Sequence, residues 1–116
     1  MGTGFQKPKK FSLDMTFARF CEIYFGDIEP RLKHNTMLTK RHIVEHKILP
    51  YFKDKKINEI KPADIIQWQN ILIKSGLSST YLKTIHNQLS AIFNHAVNLY
   101  ELKANPSQKS WKDWVK

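Results

Sequence analysis

The last third of the chain carries the pattern that most restricts its fold. Leu82, Ile85, Leu89, Ile92, Phe93, Ala96, Val97 and Tyr100 recur at three- and four-residue spacing, which puts them on one side of an α-helix for about five turns. Ser78, Ser79 or Thr80 supplies its N-cap, and Asn105-Pro106 closes it. A helix with one long apolar side needs other elements to cover that side.

The preceding residues offer three such elements. The first helix follows Asp14 or Thr16 as N-cap and collects Phe17, Phe20, Cys21, Tyr24 and Phe25, with Gly26 and Pro30 bounding it and room for one further turn at Ile28. The second starts at Asn35 or Thr36 and ends before Pro50, with Met37, Leu38, Ile43, Val44, Ile48 and Leu49 as its apolar positions. Ile57 and Ile60 imply a short helical turn in the connector. Pro62 opens the third helix, Ile65, Ile66, Trp68, Gln69, Leu72 and Ile73 follow, and Gly76 terminates it. No alternating strand pattern of comparable length and no internal repeat occurs, so the expected fold class is all-α.

A chain of 116 residues holds one domain, and 41% apolar with 12% aromatic residues is enough for one core. The lone Cys21 excludes an internal disulfide and reads as a buried thiol in a reducing compartment. No run of about 18 apolar residues reads as a membrane span, and no signal peptide is evident, so a cytoplasmic protein without a membrane partner is expected. His42 and His46 lie four apart, but no third His or Cys completes a metal site. No phosphate-binding glycine loop and no nucleophile-base arrangement stands out, so neither cofactor nor catalysis is expected.

Charge narrows the partner. Nineteen Lys and Arg against ten Asp and Glu leave +9, a field that concentrates polyanions. From Arg31 to Lys61 there are nine basic residues against three acids. Within that stretch, Lys33, Lys40 and Arg41 surround the start of the second helix, where free backbone N–H groups favour phosphate. Away from its apolar stripe, the last helix carries Thr80, Lys83, Thr84, His86, Asn87, Gln88, Ser90, Asn94 and Asn98. Solvated helix faces normally carry Glu and Lys, which favour helix; amides and hydroxyls give up propensity and offer paired donors and acceptors. Such groups suit base edges and phosphate oxygens.

Ordered blocks then match a family. Leu13-Asp-Met-Thr-Phe17, Lys33-His-Asn-Thr36, His46-Lys-Ile-Leu-Pro-Tyr-Phe52 and Ile57-Asn-Glu-Ile-Lys-Pro-Ala-Asp-Ile65 come first. Leu77-Ser-Ser-Thr80, Leu89-Ser-Ala-Ile-Phe-Asn-His-Ala-Val97 and Ala104-Asn-Pro106 complete the series. Together they resemble the core-binding domain of phage-type integrases (tyrosine recombinases) of temperate phages and integrative conjugative elements. The resemblance implies a four-helix, SAM-like orthogonal bundle that lies on one face of a core recombination site. It implies double-stranded DNA as partner, together with the parent's own catalytic domain and neighbouring recombinase subunits. DNA contacts would come from the second helix (Lys33, Thr36, Thr39, Lys40, Arg41) and the fourth (Ser79, Lys83, Asn87, Ser90). The Lys- and Ile-rich composition fits a low-GC bacterial host.

The family's catalytic Arg pair, Lys, His and Tyr belong to a following domain, so this chain is read as a non-catalytic fragment. Tyr24, Tyr51, Tyr81 and Tyr100 lack the nucleophile's surrounding motif. Residues 1–12 read as a basic arm, whose Met1 to Gly4 look like a cloning scar, residues 13–106 as the DNA-binding domain, and 107–116 as a tail or linker remnant. Trp111-Lys-Asp-Trp114 departs from the interdomain linker expected of the family. A helical protein-interaction module and a standalone DNA-binding regulator stay open as alternatives.

Overall fold

Thr16 starts the first helix. Its backbone is extended and its hydroxyl accepts from the Arg19 N–H at 3.2 Å, which caps α1, Phe17–Ile28. In the computed structural model, which describes residues 13–108, α1 is followed by three more helices. They are α2 from His34, α3 (Pro62–Lys74) and α4 (Ser79–Tyr100), with short 3-10 turns at Glu29–Arg31 and Ile57–Glu59. The fold is all-α, as expected; among the described residues the sole β-type pairing is an isolated antiparallel bridge between Thr16 and Lys56. That bridge pins the start of α1: Phe17 N–H donates to the Lys55 carbonyl at 2.8 Å and Ile57 N–H to the Met15 carbonyl at 2.9 Å. The arm up to Ser12 and the tail from Lys109, Trp111 and Trp114 included, lie outside the described residues.

Several local expectations need correction. α1 runs through Gly26 to Ile28 before tightening into the 3-10 turn that contains Pro30. α2 begins at His34, capped by the extended backbone of Lys33 with no side-chain cap, so Asn35 and Thr36 lie inside the helix. Pro50 does not end it. The α-helical part, His34–Ile43, widens into a π turn, Val44–Ile48, and resumes as Leu49–Phe52 with Pro50 in its first turn. A proline ring inside a regular helix collides with the carbonyl four residues earlier. A π turn loosens the spiral just ahead of it and removes the collision, so the path continues through Pro50 and delivers Phe52 to the core.

That core is where the helices converge. Phe17 stacks at ring-centroid distances of 5.8 Å on Phe52 and 5.5 Å on Phe93, and Phe52 lies 5.6 Å from Trp68. One aromatic chain therefore joins α1, α2, α4 and α3. The Trp68 indole N–H donates to the Lys47 carbonyl inside the π turn at 2.9 Å, so the irregular segment of α2 is tied to α3. The apolar stripe of α4 is buried at Leu82, Ile85, Leu89, Ile92, Phe93 and Ala96.

Three positions assigned to the core by spacing are instead exposed: Leu38 at 51%, Ile66 at 47% and Ile73 at 40%. Each lies on the flank of a helix whose opposite flank already meets the core. Gly76 adopts φ +86°, the left-handed conformation that ends α3.

Candidate nucleic-acid interface

Helical spacing sorts the polar residues before any contact is counted. Ser79, Lys83, Asn87, Ser90 and Asn94 follow one another at four, four, three and four residues along α4, so they form one stripe. Ser79, Lys83 and Asn87 are exposed and Ser90 is half-buried. On α2, Lys33 and Thr36 are exposed at its first turn, Thr39 is exposed, and Lys40 and Arg41 are half-buried.

The two helices meet at one polar contact. Lys40 Nζ donates to Gln88 Oε1 at 3.0 Å, and burial of the ammonium pushes the Lys40 pKa below its ordinary value. Thr36 lies four residues before Lys40 and Thr84 four before Gln88, so each shares a helix face with one member of this contact. Asn87, next to Gln88, and Lys83, four residues before Asn87, extend the same surface across α4.

Arg41 faces the other way. Its guanidinium stacks 4.5 Å above the centre of the Phe25 ring on α1, and with Leu38, Thr39, His42 and Glu45 it lines a shallow open groove. The structure thus brings Lys40 to the α4 flank, with Thr36 one turn earlier on the same helix face, and places Arg41 on the α1 flank.

Two features give the surface its chemical character. The N–H groups of His34, Asn35 and Thr36 open α2 with no side-chain cap, beside Lys33; the next, from Met37, already bonds the Lys33 carbonyl at 3.0 Å. Uncapped N–H groups at a helix start favour an anion. The hydroxyls of Thr39 and Thr84 donate to the carbonyls of Asn35 and Thr80, both at 3.1 Å. Each hydroxyl therefore turns lone pairs outward, while Asn87 adds both donor and acceptor.

Some of the polar face has other partners. His86 is 3% exposed and its Nδ1 lies 3.3 Å from the Gln69 amide nitrogen, itself on a residue 2% exposed, so this pair joins α3 to α4. The signal for it is in the sequence: His86 continues the row of Leu82, Leu89 and Phe93, and Gln69 sits among the apolar positions of α3. Ser90 and Asn94 are engaged by Asn105, whose amide donates to Ser90 Oγ at 3.2 Å and Asn94 Oδ1 at 2.8 Å. Sequence reasoning had no pattern that paired Asn105 with α4.

Other candidate chemistry is quiet. His46 Nδ1 lies 2.9 Å from the His42 carbonyl. No three His, Cys, Asp or Glu side chains cluster to hold a metal among the described residues, and none of their helices is long and apolar enough to cross a membrane. The Cys21 thiol is buried, which pushes its pKa up and keeps it protonated.

The family model for the phage integrase N-terminal SAM-like domain matches residues 16–73, half of the 116-residue chain. The chain belongs to this family. The integrase SAM-like domain is also 30% identical over 95 residues to the ICEBs1 integrase of Bacillus subtilis (strain 168), which covers 82% of this chain. The chain spans about a quarter, 26%, of the length of that relative. The solution NMR structure of an integrase-like domain from Bacillus cereus has the same fold, with a TM-score of 0.76 over 90% of this chain and 85% of that one, at 17% identity. The family match ends within α3, and the structural likeness extends the shared fold to most of the chain. The matched region corresponds to the N-terminal SAM-like domain of phage integrases.

Proposed function

We propose that this SAM-like domain binds duplex DNA at core-type recombination half-sites, using the adjoining faces of α2 and α4, and carries out no chemistry itself. The carrying observation is the Lys40–Gln88 contact, which joins the two helices chosen for their polar composition into one surface. The net charge of +9 supports the same partner. In this reading Lys33, Thr36 and Lys83 meet phosphate, Asn87 reads base edges, and Thr39 and Ser79 supply further polar contacts. Lys40 holds the two helices in register while lending its charge, and Arg41 reaches phosphate only at the α1 edge.

The remaining partners are a following catalytic domain in a longer, cytoplasmic bacterial recombinase and the neighbouring recombinase subunits. Ile66 and Ile73, seven residues apart and both exposed on α3, favour that face for protein contact rather than DNA.

Fluorescence anisotropy with a random-sequence duplex of about 20 base pairs tests the reading. Affinity is expected to fall steeply with salt, and Lys83→Ala to reduce the slope of log K against log salt by about 1. Enrichment from a pool of randomised duplexes is expected to return one preferred half-site sequence. Affinity that ignores salt, or no duplex binding at low salt, overturns the proposal.

A further inference from the structure

Asn105 makes more polar contacts than any surface role requires. It is 8% exposed, and its amide nitrogen reaches the Ser90 carbonyl at 3.4 Å, Ser90 Oγ at 3.2 Å and Asn94 Oδ1 at 2.8 Å. Its Oδ1 accepts from the backbone N–H and the hydroxyl of Ser107, both at 2.7 Å. The backbone N–H fixes which end of the carboxamide is oxygen, because a flipped amide would set donor against donor. Ser107 is 1% exposed, and the Gln108 N–H closes the turn on the Asn105 carbonyl at 3.2 Å.

The chain leaving α4 is thereby seated on the same stripe that carries Lys83 and Asn87. Ser90 Oγ and Asn94 Oδ1, which spacing alone would offer to DNA, already hold Asn105.

We infer that Asn105 is a positioning residue that divides the polar stripe of α4 in two, leaving Ser79 to Asn87 open for DNA and making Ser90 and Asn94 the seat of the exit segment. The inference rests on the proposed DNA-binding role. It adds that the direction in which the polypeptide leaves is set by the helix that lies on the DNA. The direction of the chain up to Gln108 is then fixed relative to the DNA surface. Pro106 narrows that direction further by fixing its own φ.

The test separates exit from affinity in the chain as it stands. Asn105→Ala is expected to speed amide exchange at Ser107 and Gln108 by roughly tenfold or more, since their acceptors are lost or released. Its affinity for a 20-base-pair duplex (roughly two turns of DNA) should stay within about twofold of the parent chain. Lys83→Ala should do the reverse, weakening duplex binding and leaving exchange at Ser107 unchanged. Asn105→Asp keeps the acceptor for Ser107 but loses the donor to Ser90 and Asn94, so protection of Ser107 should return only in part. Should Asn105→Ala fail to fold, Ser107→Ala leaves the bonds from Asn105 to α4 in place, and is expected to raise exchange at Gln108 without altering affinity.

Unchanged protection of Ser107 in Asn105→Ala overturns the inference, as does a loss of duplex affinity in Ser90→Ala equal to that in Lys83→Ala. A parent chain that binds no duplex sinks the proposed function instead, and the exchange measurement still decides whether Asn105 seats the exit.

Discussion

α2 and α4 share a surface and are built in opposite ways. α4 is 22 residues long, capped at its start by Ser78, whose hydroxyl accepts from the Tyr81 N–H at 3.2 Å, and buries a continuous stripe. α2 starts without a side-chain cap, opens into a π turn and passes through a proline. α4 owes its position to packing along its whole length; α2 depends on a few ties, notably the Trp68 indole on the Lys47 carbonyl and Lys40 on Gln88. The comparison teaches that a rigid helix suits residues that must match base edges, whereas phosphate contact tolerates a less regular one. On the proposed DNA-binding role, charge at the start of α2 and amides on α4 follow the same division.

The largest expected effect breaks both helices together. Trp68→Ala removes the α3 end of the aromatic chain and the tie to the π turn, and should lower unfolding free energy by about 3–5 kcal/mol in urea titration followed by circular dichroism. Trp68→Phe, which keeps most of the bulk and loses the hydrogen bond, should cost less, about 1–3 kcal/mol, and loosen α2 before α4 in amide exchange.

The next effect sharpens the division of labour. Asn87→Ala is expected to reduce discrimination between the selected half-site and random duplex by about 1–3 kcal/mol, with little change for random duplex. Lys33→Ala should weaken both by a similar factor and flatten the salt dependence. The opposite pattern would exchange the roles of the two helices.

Gly76→Ala tests how α4 is delivered to the surface. No atom lies within 4 Å of the added Cβ, so the φ of +86° alone decides the outcome, and a loss of about 1–2 kcal/mol is expected in the same urea titration.

The smallest effects are pH-dependent and concern the clasp between α1 and the end of α4. Asp27 Oδ2 accepts from Tyr100 Oη at 2.6 Å and pairs with His95 Nε2 at 2.9 Å. Burial pushes the Asp27 carboxyl up, but the hydrogen bonds from His95 and Tyr100, with the charges of His95 and Arg31, outweigh it and hold its pKa below the usual range. Its contribution to stability is therefore present above the unfolded value near pH 4 and lost as pH falls. The same bond, with burial, pushes the Tyr100 phenol up to about 12. That contribution is complete below about pH 10 and is lost as pH rises toward 12. Urea midpoints measured against pH should show both losses, and Asp27→Asn should remove the acidic one.

How much of this was legible in the sequence follows the same contrast. α4 and its buried stripe were readable because one regular period holds from Leu82 to Tyr100. α2 was misread at both ends, since side-chain caps and the usual effect of proline predict regular helix boundaries, and neither cap nor break was used. Ile66 and Ile73 were misplaced because a helical period gives the direction of an apolar side and not its width. The polar face of α4 was visible as composition, but its division was not. Ser90 differs from Asn87 through Asn105, a partner distant in sequence, whereas His86 already lies in the row of Leu82, Leu89 and Phe93. The family could be recognised from ordered blocks, each too short to carry it alone.

The central claim is that DNA lies on the joined faces of α2 and α4. An amide chemical-shift titration of the chain with a duplex enriched from the random pool tests it most directly. The account predicts shifts at Lys33 to Lys40 and at Ser79 to Asn87, fading beyond Ser90 and reversing as salt is raised. Shifts confined to Ile66 and Ile73 on α3, or to Trp111–Trp114, would contradict it.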